Sequence, residues 1–326
     1  MRRLTSQLAL LGSTIDYAGT FPPAALSLEK ALEKAATFRN TGKHPWLMAK
    51  VVLPLSDIKK ISTASLVAAN SDGTPWLFAA LGTSITEAGA AAFEKTIEWD
   101  LREIAHLNER RLTGAIRQSV VSYEAKLPID SSENLRHELF GSIESVLQKL
   151  PELLRDRVDP YFELQPGAYW APKTVALIES LAVWVEENGS LGIVPGIKVR
   201  TGGAVIPSSQ ELAEILAACL KYGIRFKATQ GLHAPFTHKK ALGFVNLFGA
   251  LALGGVLGEE EFGKPKILEC LDCEEANVFR FDENTFSWKS HRIETDQIEV
   301  ARRRHGATFG SCSLDEPDEF LSQWAR

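Results

Sequence analysis

Two lysines set the chemical question. One lies in Gly196-Ile197-Lys198-Val199-Arg200-Thr201-Gly202-Gly203, the other in Phe226-Lys227-Ala228-Thr229-Gln230-Gly231-Leu232-His233. Each run reads as a short strand that ends in a glycine-bearing loop. Side chains alternate across a strand, so Lys198 shares a face with Arg200 and Lys227 with Thr229, while Val199 and Ala228 fall on the other face. Two ammonium groups in one confined space repel each other, and partial burial also disfavours their charge. Both effects pull a lysine below its ordinary value of about 10.4, towards a free amine able to attack a carbonyl carbon. That is the chemistry of Schiff-base formation. Tyr161-Phe162-Glu163 and Tyr123-Glu124-Ala125-Lys126 place Glu163 and Glu124 on neighbouring strands, where a carboxylate can move the protons that carbinolamine formation and carbon–carbon cleavage require. The same carboxylates admit a plainer arrangement, in which each lysine is neutralised inside a buried ion-pair network.

Around the lysines stand residues suited to an anion. Thr201-Gly202-Gly203 and Gly310-Ser311-Cys312-Ser313 supply backbone N–H groups and small hydroxyls. The predicted substrate-binding set is Arg200, Thr201, Gly202, Gly203, Thr229, His233, Gly310, Ser311 and Ser313, and the predicted partner is a small anionic molecule. Asp16 is a further candidate carboxylate, and Asp315 or Glu316 could orient a site lysine. His233 and His238 with Glu163 form a conceivable two-histidine, one-carboxylate metal set. Pro235 interrupts that spacing and nearby lysines oppose a cation, so neither a metal nor any other cofactor is expected. Cys270-x-x-Cys273 has no second pair to complete a zinc site and reads as part of a buried helix, and Cys312 reads as a small core residue.

These residues must be carried by a repeating scaffold. Short β-branched or aromatic runs alternate with amphipathic helical runs along the chain, which argues for βαβ units and a parallel sheet. The predicted strands are 9–15, 46–53, 75–81, 119–125, 161–164, 192–200, 225–228 and 308–313. Eight is the number that closes a barrel. Ser84-x-x-Glu87 and Ser208-x-x-Glu211 read as capping boxes at helix starts. Residues 241–258 carry no charge and read as a helix buried against the sheet rather than a membrane span. The expected fold is a single (β/α)8 TIM barrel over 1–326. A helix and β-hairpin insertion at 257–292 precedes strand eight, its turn at Asp282-Glu283-Asn284. In such a barrel the site lies where strands end and βα loops begin.

Three segments, in this order and on these strands, resemble deoxyribose-phosphate aldolase, a class I aldolase of the (β/α)8 fold. Lys198-Val199-Arg200-Thr201-Gly202 matches that family's Lys-x-x-Thr-Gly on the sixth strand. Lys227-Ala228-Thr229-Gln230-Gly231 is similar to the run begun by the family's second lysine, with Gln230 replacing the first of two glycines. Phe309-Gly310-Ser311-Cys312-Ser313 is similar to its Phe-Gly-x-Ser-Ser, with Cys312 replacing a serine. The resemblance implies a Schiff base on Lys198, a second site lysine at Lys227 and, more loosely, the fourth-strand acid at Glu124. It covers a small part of the chain, and its departures weaken the phosphate end most. The wider pattern, Phe21-Pro22-Pro23-Ala24 with these runs and the segment from Phe309 to Pro317, is similar to a bacterial protein family to which no activity attaches.

Composition narrows the alternatives. Of 326 residues, 45% are apolar and 24% charged, enough for a large core. The formal charge of −5 and the lack of a dense basic cluster argue against nucleic acid. Four cysteines make no disulfide framework, and a cytoplasmic setting is expected. Arg2-Arg3 and the apolar Leu8–Leu11 run are cut short by Asp16, so no signal peptide or membrane association is expected. No dinucleotide fingerprint, P-loop or Gly-x-Ser-x-Gly elbow occurs. Oligomeric state stays open, a homo-oligomer included. Two function classes follow: a class I aldolase-like lyase acting on a small carbonyl compound with an anionic group, or a barrel that binds a small anion or uses a metal without covalent lysine chemistry.

Overall fold

Parallel strands covered on both faces need apolar residues on the helix side whatever the interior holds. Leu53, Phe78, Phe162, Val199, Phe226, Ala228 and Phe309 meet that need, each at 1% exposure or less. The ring of Phe309 stacks on Phe244 of a surrounding helix, their centroids 5.5 Å apart. The computed structural model describes residues 4–62, 64–66, 74–84, 90–110, 118–127, 135–154, 158–164 and 170–324. Its strands are β1 Ile15–Tyr17, β2 Met48–Pro54, β3 Trp76–Leu81, β4 Gln118–Lys126, β5 Asp159–Glu163, β6 Gly196–Arg200 and β7 Arg225–Thr229, then β8 Phe279–Phe281, β9 Thr285–Trp288, β10 His291–Glu294 and β11 Gly306–Ser311. Eight of them close a parallel barrel in the order β1-β11-β7-β6-β5-β4-β3-β2. The fold is a TIM barrel, as the alternation predicts.

Helix boundaries follow local chemistry. The Ser208 hydroxyl accepts from the Glu211 N–H, the Glu211 carboxylate accepts from the Ser208 N–H, and left-handed Gly223 (φ 68°) ends that helix at the far side. The other expected capping box, Ser84-x-x-Glu87, includes residues outside the described ones, and the helix there is described as Ala90–Arg110. The uncharged run forms helix Phe244–Phe262, buried over most of its length against β11 and neighbouring helices. No helix among the described residues is long and apolar enough to cross a membrane.

Two expectations need correction. Residues 9–15 do not form the first strand; Thr5–Leu11 is a helix and β1 covers Ile15–Tyr17 alone. Leu4, Leu8 and Leu11 are spaced as one helical face, and so short an apolar run is ambiguous between the two periods. The predicted hairpin is a three-stranded antiparallel sheet, β10-β9-β8. His291–Glu294 adds the third strand, and helix Thr295–Arg304 then leads into β11. This sheet packs on the barrel's helical layer. Phe286 reaches Gly249, where a Cβ would stand 2.9 Å from the ring, and Trp288 lies edge-on to Phe262 at 5.7 Å.

Candidate functional site

The inner face of the barrel holds charge where bulky aliphatic residues ordinarily fill such a core. Alternation on β6 and β7 turns Lys198, Arg200, Lys227 and Thr229 inward, and the register sets Lys198 beside Lys227 and Arg200 beside Thr229. β5 places Glu163 next to Lys198, β4 supplies Glu124, and β1 and β2 supply the paired positions Asp16 and Lys50. The result is a chain of alternating charges. Lys198 Nζ lies 2.8 Å from Glu124 Oε2 and 2.9 Å from Glu163 Oε2. Lys227 Nζ donates to Glu124 Oε1 at 2.6 Å and also to Asp16 Oδ2. Asp16 further accepts from the Thr308 hydroxyl at 2.6 Å and stands 3.3 Å from Lys50 Nζ. At the other end Arg200 Nε donates to Glu163 Oε1 at 2.6 Å.

This arrangement overturns the expected lowering of the lysine pKa values. Burial does pull Lys198 down, but the charges of Glu124 and Glu163 outweigh it and the net direction is up. Lys227 behaves alike, with Asp16 and Glu124 outweighing its burial. Burial pushes Glu124 up, yet the two ammonium groups that it bridges hold its carboxyl at about 2. Glu163 is also held low against its burial, chiefly by Lys198 and then Arg200. The lysine that does fall is Lys50, lowered first by burial and then by Lys227 against the opposing pull of Asp16. Repulsion between Lys198 and Lys227 does not decide their protonation, because one carboxylate lies between them.

Above this network opens a cavity of about 510 Å³. Lys198, Lys227, Glu124, Arg200, Gly203, Thr229, His233, Gly310 and Ser311 line it. Glu163 stands behind Lys198 and Arg200 without lining the cavity. Thr201, Gly202 and Ser313 are wall-builders. Thr201 Oγ1 donates to the Gln230 carbonyl at 2.6 Å. A Cβ on Gly202 would lie 2.7 Å from the Gly231 nitrogen, so glycine lets the β6 and β7 loops touch. Ser313 donates its N–H to Ser311 Oγ and accepts from the Glu316 N–H at the start of the last helix.

Cys312 lines the cavity instead of serving as core, its thiol pushed up chiefly by burial. His233 is 2.6 Å from Glu316, while His238 lies 3.8 Å from Glu274, so the conceivable metal set does not converge. No group of three or more His, Cys, Asp and Glu side chains is placed to hold a metal among the described residues. Lys50, Gln230 and Phe21-Pro22-Pro23 belong to the site although the sequence reading gave them no site role. The signal for Lys50 was present: it is a lone charge inside the apolar strand Met48–Pro54.

No family model and no curated protein matches the sequence. Among solved structures, the chain is similar to the probable 3-DHS dehydratase AsbF of Bacillus anthracis, a protein involved in petrobactin synthesis. The identity is 12%, the TM-score 0.35, and the alignment covers 85% of this chain and 99% of that one.

Proposed function

We propose that the protein is a class I aldolase-like lyase that acts on a small carbonyl compound bearing an anionic group, with Lys198 as the Schiff-base nucleophile. The observation that carries this reading is the placement of Lys198, a lysine on the cavity wall with a carboxylate on each side of its nitrogen. Its likeness to the lysine of the Lys-x-x-Thr-Gly run in deoxyribose-phosphate aldolase adds support.

The resting ammonium is not an obstacle. Releasing a proton at pH 7 from a lysine at or above 10.5 costs at least about 5 kcal/mol, well inside the roughly 16 kcal/mol barrier of a reaction turning over about ten times a second. As the carbonyl carbon approaches, Lys198 sheds one proton to water at pH 7, with Glu163 or Glu124 relaying it without retaining it. The nitrogen lone pair then forms the carbon–nitrogen bond, and the carbonyl oxygen takes up a proton to give a carbinolamine. Loss of water leaves an iminium. Ammonium and iminium carry the same charge, so the carboxylate pair stabilises the product as it does the resting state. Lys227 is positioned to return protons through Glu124, and Arg200 and the β11 loop face an anionic substituent.

The two carboxylates on Lys198 also favour a second reading, in which the ammonium stays charged and the cavity binds a small anion, or acts on it by proton transfer, without a covalent bond. Borohydride trapping separates the two. The protein is incubated with a panel of aldehydes and 2-oxo acids, reduced, and mapped by mass spectrometry. A stable adduct on Lys198, lost in Lys198→Arg, is expected. Anion binding across the panel with no adduct on Lys198 would overturn the covalent reading and leave the second.

A further inference from the structure

The cavity has two unlike walls. On one side stand Ala18, Phe21, Pro22, Pro23, Val52 and Leu81; on the other stand Lys198, Arg200, Thr229, Gln230, His233 and Ser311. The division follows the order of strands round the barrel. The apolar wall comes from the loop after β1 and from β2 and β3, and the polar wall from β6, β7 with the loop that follows it, and β11. The loop after β1 holds its shape through its own backbone, with Phe21 N–H donating to Ala18 O at 3.0 Å and Leu26 N–H to Gly19 O at 2.9 Å. Its Phe and Pro side chains offer neither a hydrogen-bond donor nor a charge.

Size adds a second constraint. A space of about 510 Å³ would hold roughly 17 waters at about 30 Å³ each. A three-carbon oxo acid, with only six non-hydrogen atoms, leaves most of it unfilled. Arg200 shows where the charged end would go. Its Nε is fixed by Glu163, while its two Nη groups make no hydrogen bond with the described residues, which leaves the planar fork open to a carboxylate.

We propose that the substrate is an aryl-bearing carboxylate: its carboxylate meets Arg200, and its ring lies against Phe21, Pro22, Pro23, Val52 and Leu81. The carbonyl that reaches Lys198 would lie between the two ends, and that part rests on the covalent reading above. The ring subsite itself does not. Aromatic burial against Phe and Pro side chains is non-directional and needs no change in the lysine chemistry.

The test uses probes without a carbonyl, so a failed borohydride experiment leaves it intact. Binding of propanoate and 3-phenylpropanoate to the full chain is measured by calorimetry at one salt concentration. The phenyl acid is expected to bind at least tenfold more tightly. Phe21→Ser should cut that advantage to under threefold, and Leu81→Ser should do the same where Phe21→Ser fails to fold. Arg200→Gln should weaken both acids by a similar factor and preserve their ratio. Equal affinities in the unaltered protein, no binding by either acid, or an advantage that survives both apolar-wall substitutions would overturn the proposal.

Discussion

Glu124 is the side chain on which the charge network turns, and replacing it by glutamine tests the electrostatic account directly. Its two oxygens hold two different lysines, at 2.8 Å and 2.6 Å, and the residue is only 5% exposed. Glutamine keeps the volume but removes the charge, and its NH2 group must then face one ammonium. Breaking a buried pair by removing one partner costs about 3–5 kcal/mol. The depression of the Glu124 carboxyl from 4.5 to about 2 independently corresponds to about 3 kcal/mol. The two agree, so Glu124→Gln should lose about 3–5 kcal/mol at pH 7, a fall in Tm of about 4–7 °C for a chain of this size. The sign of the pH dependence is fixed as well. A carboxylate depressed in the folded state contributes fully above its unfolded value of 4.5, and the contribution drains away as pH falls through about 2. Urea unfolding of both proteins at pH 7, 4.5 and 3 measures this. A loss below about 1 kcal/mol at pH 7, or a gap that does not narrow on acidification, refutes the reasoning.

Two lysines of the network should respond to different degrees. Lys227→Met strands Asp16 and Glu124 and should cost about 3–5 kcal/mol; because Lys227 is raised, its contribution is complete below 10.5 and fades only at higher pH. Lys50 is lowered, so its ammonium costs stability until pH rises towards 10.5, and Lys50→Met should cost less than about 1 kcal/mol by urea unfolding at pH 7. Gln230 sits at φ 65° where the related run has glycine; a side chain there costs about 1 kcal/mol, so Gln230→Gly should raise Tm by about 2 °C in a thermal melt. Gly202→Ala would force a Cβ to within 2.7 Å of the Gly231 nitrogen and should destabilise by about 1–3 kcal/mol in the same assay.

How much of this was legible in the sequence depends on whether the governing interaction is periodic or long-range. The barrel was legible because alternation of strand and helix is a local pattern repeated along the chain, and the Ser208 capping box because its partners are three residues apart. The first strand was misread because Thr5–Leu11 satisfies both apolar periods, and its choice of helix is made by packing against helix Thr295–Arg304, far along the chain. For the site, inward direction followed from parity on each strand: Lys198 and Lys227 fell on the same layer. Their protonation did not follow. It depends on Glu124 lying between them and on Asp16 behind Lys227, contacts that span 103 and 211 positions of sequence. Two lysines considered alone repel. The same two with a shared carboxylate attract it and gain protons.

Charge balance bears on the proposed anionic substrate. Four cations, Lys50, Lys198, Arg200 and Lys227, meet three carboxylates, Asp16, Glu124 and Glu163. One positive charge is left over in a place that water reaches poorly, and burying an uncompensated charge is costly. The cost falls on the cation with the weakest partner, which is Lys50 at 3.3 Å from an Asp16 already engaged by Lys227 and Thr308; that is why it alone of the three lysines is lowered. An anion in the cavity would supply the missing counter-charge, on the side where the Arg200 Nη groups make no hydrogen bond with the described residues. The carboxylates account for the protonated Lys198 and Lys227, the surplus cation accounts for the lowered Lys50, and the proposed anionic substrate would relieve that surplus where a neutral one of the same shape would not.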